Sequence, residues 1–294
     1  MSGVVFNVER FSISNGPGIR TTAFMKGCTL RCQWCHNPES FSQASQIKLN
    51  GKLCRMCKIC ESVCPQGAHH FEGNRHRIDV EKCRKCGKCV DSCRFGCITE
   101  IGREYEAKEL ADIMLRDSVY YKKSKGGVTF SGGEPTLQID FIGETVTYLE
   151  GIHIAVDTCG NCPEEKYRKM LAIADLVLFD LKHMDSAAHK LYTGEGNEQI
   201  LSNFRRTIEN GSTIQVRYPM IPGVNDGIEN IESMAVFLRQ YGITHLAVSF
   251  YHDFGTCKYY DLQMEPHIFA KYDKETEQEK LDLIRGFGID PIIV

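Results

Sequence analysis

The cysteines constrain this chain more than any other feature, because twelve of the fifteen lie between positions 28 and 97 of a 294-residue sequence. In a short exported protein such crowding would indicate disulfides, but this chain is long and has Glu9 and Arg10 where a signal peptide keeps an apolar run. No apolar run approaches the roughly 18–20 residues that cross a membrane. We therefore expect a cytoplasmic protein whose reduced thiols bind metal.

Three of these thiols stand apart in a CxxxCxxC loop made by Cys28, Cys32 and Cys35. A structural zinc site closes its shell with four ligands, and a cubane iron–sulfur cluster has four irons to ligate. Three protein ligands leave one metal corner open. The loop therefore predicts a metal centre that takes part in chemistry.

The other cysteines of this region form two runs with the spacing CxxCxxCxxxC, 29 residues apart. This is the bacterial ferredoxin run, in which the fourth cysteine ligates the other cluster. The predicted ligands are Cys54, Cys57, Cys60 and Cys93 for one [4Fe–4S] cluster, and Cys83, Cys86, Cys89 and Cys64 for the second. A pair of zinc sites is the alternative, although zinc pairs usually have a long loop between two CxxC units. Cys97 is interpreted as a packing residue beside a cluster, and Arg94 replaces the proline of the first run, Pro65.

After position 100, short apolar strands alternate with amphipathic helices, a pattern that predicts an α/β fold with a parallel sheet. With the strand IRTTAFMKG before the first cysteines there are about six units, fewer than the eight of a closed TIM barrel. The prediction is an open, partial (β/α)6 barrel with an inserted ferredoxin-like domain. Its divisions are 1–48 for the first part of the barrel, 49–100 for the insert and 101–294 for the remainder.

Polar residues follow the predicted strands at the edge where parallel sheets bind ligands. They are Cys28, SGGE (131–134), DTCG (157–160), DLK (180–182), Arg217 with IPG (221–223), and FYHDFG (250–255). Each is a weak signal alone, since such residues are often only solvated. Together with an incomplete metal site they predict one binding site. A formal net charge of −3 provides no basic field for nucleic acid.

The CxxxCxxC loop, with Trp34 just before its third cysteine, resembles that of the radical S-adenosylmethionine (SAM) superfamily. The resemblance narrows to the glycyl radical enzyme activating enzymes. Their pattern matches NGPGIRTTAFMKGC, LRCQWCHNPES, VTFSGGEPTLQ, DTCG, DLKHMD, HKLYTGEGNEQIL, IPGVND and YHDFGTCKY, which cover nearly the whole chain in order. The eight-cysteine insert is similar to that of the larger members of this family.

The resemblance implies that Cys28, Cys32 and Cys35 hold the catalytic cluster, whose open iron is chelated by the amino and carboxylate groups of SAM. It also implies a set of SAM contacts. These are Trp34 and His36 at the adenine, Gly133 and Glu134 at the methionyl ammonium, the DLK motif of Asp180, Leu181 and Lys182, whose lysine faces the methionyl carboxylate, His252 at the ribose or adenine, and Arg217 at the methionine end. Asp157 and Asp180 further resemble ligands of a monovalent cation.

One position departs from the family's pattern, and two others within the matching motifs are interpreted as structural residues. Asn15 stands where the family usually has an aspartate associated with placing the glycine-bearing peptide, so the charge is lost but a hydrogen-bonding oxygen is kept. Thr136 is interpreted as a helix cap, and Cys159 as a small packing residue in a turn that lines the SAM site.

The implied reaction is reductive cleavage of SAM to methionine and a 5′-deoxyadenosyl radical, which takes a hydrogen from the Cα of a glycine in a partner enzyme. The implied cofactors are three [4Fe–4S] clusters, SAM as cosubstrate and a monovalent cation. Flavodoxin or ferredoxin would supply the electron to a monomeric activator. Two alternatives remain open: a radical SAM enzyme that acts on a small molecule, and an iron–sulfur electron carrier that has no use for the SGGE and DLK motifs or His252.

Overall fold

The computed structural model describes residues 1–294 and contains thirteen strands. In chain order they are β1 (Ser2–Ser12), β2 (Arg20–Met25), β3 (Gln46–Leu49), β4 (His69–Glu72), β5 (Arg75–Ile78), β6 (Ile98–Ile101), β7 (Arg103–Glu106), β8 (Gly127–Gly132), β9 (His153–Thr158), β10 (Leu176–Asp180), β11 (Ile214–Met220), β12 (His245–Phe250) and β13 (Asp290–Ile293). Nine of them form one sheet in the order β13-β12-β11-β10-β9-β8-β2-β1-β7.

Eleven α-helices accompany the strands. They are α1 (Ile59–Val63), α2 (Lys88–Ser92), α3 (Ala107–Leu115), α4 (Ser118–Ser124), α5 (Ile139–Thr147), α6 (Glu164–Leu171), α7 (Ser186–Thr193), α8 (Glu198–Glu209), α9 (Ile228–Gln240), α10 (Thr256–Asp261) and α11 (Lys274–Gly286). Two short 3-10 helices cover Pro38–Ser40 and Pro135–Gln138. None of the helices has the length and apolar character that a membrane span requires.

Seven strands of the large sheet are parallel, and each lies beside the next parallel strand of the chain, from β2 through β8 to β13. The order never reverses, so this is a singly wound sheet without the switch point of doubly wound folds. The predicted α/β fold with a parallel sheet is confirmed. The six predicted strands are present, and the prediction missed the seventh, β13. This short strand contains Pro291 and resembles a tail in the sequence.

The sheet is apolar on both faces near its centre, as expected for parallel strands covered by crossover helices. Five successive residues of β8, from Gly127 to Ser131, are buried. The main core contains 44 buried residues, including Phe130, Val156, Phe179 and Val248. Burying each such large side chain contributes about 1.5–3 kcal/mol. This core holds the carboxyl ends of the strands, and thus the residues that follow them, in fixed positions.

Residues 46–101 form a segment outside the large sheet. The two ends of this segment lie side by side, because β3 and β6 pair antiparallel with Gln46 opposite Ile101. Between them lie a hairpin of β4 and β5 and two five-residue helices, α1 and α2. Both helices follow a residue in the left-handed conformation, Lys58 and Gly87, which are 29 residues apart. The segment has its own small core of seven buried residues. The sequence repeat is therefore also a repeat of local structure.

Candidate active site

The CxxxCxxC loop follows β2 and is held at several points by its own backbone and by neighbouring segments. Arg31 N donates to Thr193 O at 2.7 Å, and Gln33 N donates to Tyr192 O at 3.0 Å. Within the loop, Leu30 N and Asn37 N each lie 3.4 Å from a cysteine sulfur, those of Cys28 and Cys35. Backbone N–H groups directed at sulfur stabilise thiolates, so the loop is organised for sulfur that carries negative charge.

Burial raises the pKa of each of the three thiols, and that of Cys28 reaches about 12. A buried thiol without a counter-charge therefore keeps its proton at neutral pH. Metal binding displaces that proton, since the thiolate is the form that ligates. Three such thiols on one loop, two of them facing backbone N–H groups, fit a metal centre.

The three cysteines line a cavity of about 470 Å³, within the size range of small-molecule sites. Most of the predicted site residues also line it: Trp34 and His36 from the cysteine loop, and Gly133, Asp157, Asp180, Lys182, Arg217 and His252 from the strand ends. Cys159 lines it as well, as expected for the turn after β9. The sheet thus brings residues from the ends of β8 to β12 to one cavity, and the three cysteines of the loop line the same cavity.

The floor of the cavity carries two ion pairs, one between β9 and β11 and one at the end of β10, the strand between them. Arg217 Nη1 lies 3.1 Å from Asp157 Oδ2, and Lys182 Nζ lies 3.0 Å from Asp180 Oδ2. Asp180 and Arg217 are register partners on β10 and β11, so parallel pairing puts them side by side. Burial disfavours the charge on Lys182, but Asp180 and nearby sulfur groups outweigh burial and raise its pKa well above the ordinary value. Asp157 raises the pKa of Arg217.

Two histidines and Trp34 contribute aromatic rings to the lining of the cavity. The rings of His36 and His252 meet edge to face with centroids 4.0 Å apart, and His36 Nε2 lies 3.0 Å from His252 O. His252 Nδ1 is buried without a hydrogen-bond partner. Because buried polar atoms are nearly always paired, this nitrogen indicates a missing ligand group.

The SGG turn after β8 brings two strand ends into close contact. Gly133 N donates to Met25 O at 2.9 Å, and Glu134 N donates to Gly27 O at 2.8 Å. A Cβ on Gly133 would lie 2.0 Å from Gly27 O, so only glycine fits at this position. The turn therefore joins the end of β8 directly to the residue before Cys28.

The Glu134 side chain does not line the cavity. It is fully buried, and its carboxylate accepts hydrogen bonds from Thr136, Thr158 and Cys159. The interpretation of Thr136 as a helix cap is wrong, because Glu134 is the N-cap residue and Thr136 N donates to it. Leu181 also lies outside the cavity, 1% exposed in the main core, because it alternates with Asp180 and Lys182.

The Radical SAM superfamily profile matches residues 22–238. Trans-4-hydroxy-L-proline dehydratase activating enzyme of Clostridioides difficile is 38% identical, with 97% of this chain and 95% of that protein covered. (2S)-3-sulfopropanediol dehydratase activating enzyme of Klebsiella oxytoca is also 38% identical, over 80% of this chain and 77% of that protein. The chain belongs to the radical SAM superfamily, among the activating enzymes of glycyl radical enzymes. The fold also resembles Streptococcus suis SuiB bound to precursor peptide SuiA, with a TM-score of 0.54 and 14% identity over 91% of this chain and 46% of that one.

In this activating enzyme the segment around Asn15 is tied to the cavity. Arg217 Nη2 donates to Ser14 O at 3.0 Å, and Ser14 itself lines the cavity. Asn15 Nδ2 donates to Ser12 Oγ at 2.9 Å, and Asn15 O accepts from Thr129 Oγ1 at 2.7 Å. The amide that replaces the family's aspartate is therefore used within its own loop.

Sequence reasoning about this activating enzyme missed two groups. Ser14 reaches the cavity from a loop before β2, where no strand-end rule applies. Two buried histidines of the insert, His69 and His76, lie with Cys60 within 4.8 Å of one another. In HHFE and RHRI the polar and charged neighbours hide the strand pattern, and only the pairing of the hairpin brings the two histidines to one face.

Proposed function

We propose that Cys28, Cys32 and Cys35 hold a [4Fe–4S] cluster and that SAM fills the adjoining cavity. The observation that carries the proposal is the placement of three buried thiols beside a cavity of suitable size with two ion pairs at its floor. When bound, the cluster supplies the electron that cleaves SAM to methionine and a 5′-deoxyadenosyl radical. The residues of the chain bind SAM, orient it and exclude water.

The methionyl end of SAM carries an ammonium and a carboxylate, which match the charges of the floor. Lys182 and Arg217 offer cations to the carboxylate, and Asp157 and Asp180 offer acceptors to the ammonium. Each of these ion pairs uses the Oδ2 atom of its aspartate, so the Oδ1 atoms would accept from the ammonium or bind the monovalent cation that the resemblance implies. His252 Nδ1, buried and unpaired, would hydrogen-bond the nucleoside end beside Trp34 and His36.

Glu134 takes a different role from the one that the resemblance implies. Its carboxylate is occupied by donors of the chain, so it positions the turns after β8 and β9 instead of pairing with the ammonium through its side chain. Gly133 lines the cavity and offers backbone to SAM. Leu181 contributes packing beneath the site, since its side chain lies in the main core.

We also propose that residues 49–100 are a ferredoxin-like domain with two [4Fe–4S] clusters, inserted in a partial (β/α)6 barrel made by 1–48 and 101–294. The first insert cluster would be held by Cys54, Cys57, Cys60 and Cys93. In support, these four cysteines line one small cavity together with Cys97. The second insert cluster would be held by Cys83, Cys86, Cys89 and Cys64. In support, the backbone N–H groups of Lys85 and Ala68 lie 3.4 Å from the sulfur atoms of Cys83 and Cys64.

The protein substrate is a glycyl radical enzyme whose glycine loop would enter the cavity beside SAM. The two 38% identical relatives are named for dehydratases, and a dehydratase is one candidate partner. A flavodoxin or ferredoxin would donate the electron. Cys57 and Cys86 are exposed, so each insert cluster would have an edge near the surface at which a donor protein could dock.

Anaerobic reconstitution with iron and sulfide, followed by dithionite and SAM, tests the main proposal. We expect about twelve irons per chain, four for each cluster, and formation of 5′-deoxyadenosine. Full iron without deoxyadenosine, and without any change of the cluster spectrum on adding SAM, would instead support the electron carrier. Deoxyadenosine with about four irons would keep the activating enzyme and overturn the two insert clusters.

Serine variants at Cys57 and Cys86 test whether the insert clusters relay electrons or dock the partner. We expect slower glycyl radical formation with flavodoxin as donor, while SAM binding stays unchanged because both residues lie outside the SAM cavity. Radical yield measured by electron paramagnetic resonance (EPR) is the readout, and Cys257→Ser, at an exposed cysteine outside the insert, is the control. Wild-type rate and yield with these clusters missing would remove both roles.

A further inference from the structure

Two histidines face the interior of the insert from the hairpin of β4 and β5. His69 and His76 are buried, whereas His70 and Arg77 beside them are exposed, as the alternation of a strand requires. The register places Phe71 opposite His76, so His69 and His76 are diagonal neighbours on one face. A buried histidine pair among charged hairpin residues needs partners on that face.

Those partners are the sulfur atoms of Cys54 and Cys60 and the ring of the other histidine. His76 Nδ1 lies 3.4 Å from Cys54 Sγ, and His76 Nε2 lies 3.7 Å from Cys60 Sγ. His76 Nε2 also lies 2.9 Å from His69 Nδ1. The His76 ring stacks on Phe71 with centroids 4.3 Å apart and 13° between the planes, which fixes its orientation.

These contacts determine which nitrogen carries the proton. A thiolate sulfur accepts hydrogen bonds and donates none, so the nitrogen nearest to it must be an N–H. His76 Nδ1, at 3.4 Å, therefore donates to Cys54. His76 Nε2 is closer to His69 Nδ1, at 2.9 Å, than to Cys60 Sγ, at 3.7 Å, so in the neutral ring it accepts from His69 and makes no hydrogen bond to Cys60. The result is a chain of two hydrogen bonds, from His69 to His76 and from His76 to the sulfur.

We infer that His76 is a hydrogen-bond donor to the first insert cluster and raises its reduction potential. This inference rests on the proposal that the insert holds two clusters. Reduction adds negative charge, which spreads onto the ligand sulfurs, so an N–H directed at Cys54 Sγ stabilises the reduced state more than the oxidised one. His69 acts through His76 by fixing its tautomer.

The second insert cluster lacks a histidine that donates a hydrogen bond to one of its ligand sulfurs. The positions 29 residues after His69 and His76 are Ile98, whose side chain has no donor, and Tyr105, which lies on β7 beside β1 in the large sheet. The sulfur contacts around its ligands come instead from the backbone, such as Lys85 N to Cys83 Sγ and Ala68 N to Cys64 Sγ, both at 3.4 Å. The two clusters therefore differ in potential, with the first insert cluster higher.

The first insert cluster also faces the segment that contacts the catalytic loop. Cys54 and His76 line a cavity of about 910 Å³ with Gln263, while none of the cysteines of the second insert cluster does. Gln263 Oε1 accepts from Ile78 N at 3.2 Å, and just before it Tyr259 donates its hydroxyl to Cys35 O at 2.9 Å. The cluster tuned by His76 is thus the one beside residues 259–263, which also contact the catalytic loop.

These distances favour His76 as a hydrogen-bond donor to sulfur and not as a ligand of iron. Ligands of a cubane bind different irons and lie well apart, whereas His76 Nδ1 is at hydrogen-bond distance from Cys54 Sγ. A mononuclear site of Cys60, His69 and His76 is geometrically possible only while Cys60 is free of the cluster. That site is therefore an outcome of the test.

EPR-monitored redox titration of the reconstituted full-length protein tests the inference. Variants His76→Phe and His76→Asn are compared with the wild type, and His70→Phe serves as the matched control because His70 is exposed on the other face of the strand. SAM perturbs only the catalytic cluster and so identifies its signal. We expect one of the other two midpoint potentials to fall in His76→Phe, to recover in part in His76→Asn, whose amide can replace Nδ1–H, and to stay unchanged in His70→Phe.

Each of the other possible outcomes overturns either the donor role of His76 or the proposal of two insert clusters. Unchanged midpoint potentials at full iron would remove the donor role of His76. Loss of about four irons in both His76 variants would make His76 a ligand. Wild-type protein with about four irons would refute the two-cluster proposal itself, and zinc bound at one per chain and lost in His76→Phe would establish the mononuclear site.

Discussion

Replacing Cys32 by serine is expected to abolish 5′-deoxyadenosine formation and to remove about four of about twelve irons. Cys32 is 9% exposed, and burial raises the pKa of its thiol, so only metal binding holds it as a thiolate. Serine places a much weaker ligand at the same point, and two cysteines cannot hold a cubane with an open corner. Iron analysis and chromatography of the SAM products are the measurements.

The insert makes this experiment more specific than an ordinary cysteine knockout. Its eight predicted ligands lie in a segment with a separate core, so about eight irons are expected to remain in the Cys32→Ser variant. Cys257→Ser, at an exposed cysteine, is expected to keep full iron and full activity. Wild-type deoxyadenosine formation in Cys32→Ser would contradict the assignment of the catalytic cluster.

The strand-end residues could be predicted because sheet geometry leaves them little freedom. Successive parallel strands end at the same edge, and pairing of Asp180 with Arg217 in the register makes them neighbours whatever the surrounding loops do. The same reasoning, taken one residue further, excludes Leu181 from the cavity, since neighbours on an extended chain face opposite ways. From this alternation of side chains along a strand, the sequence alone predicts that Leu181 and Lys182 face opposite sides of the sheet.

Glu134 and the insert histidines could not be assigned from sequence for a different reason. A carboxylate after SGG can face an ammonium or a set of protein donors, and both environments need an acceptor. Only the fold shows that Thr158 and Cys159, from the next strand and its turn, fill that role. For His69 and His76, charged neighbours hide the strand pattern, and only pairing of the hairpin brings the two rings together.

Glu134→Gln is expected to lower the free energy of unfolding by about 2–4 kcal/mol, more than an ordinary buried polar substitution. Glu134 Oε1 accepts from Thr136 N at 3.1 Å, and Oε2 accepts from Cys159 N at 2.9 Å. A glutamine must place its NH₂ group against one of these backbone N–H groups, which cannot rotate away. Two donors then face each other in a fully buried site.

Anaerobic denaturant unfolding of the metal-free chain measures this change, with the exposed Glu150→Gln as the control. SAM cleavage by the reconstituted variant is expected to fall about 100-fold, because Glu134 joins the turn after β8 to the turn after β9 beside the catalytic loop. Lower stability with an unchanged cleavage rate would limit Glu134 to a structural role. Unchanged stability would show that the carboxylate is not held by these donors, and it would return Glu134 to the role of a direct contact to the methionyl ammonium.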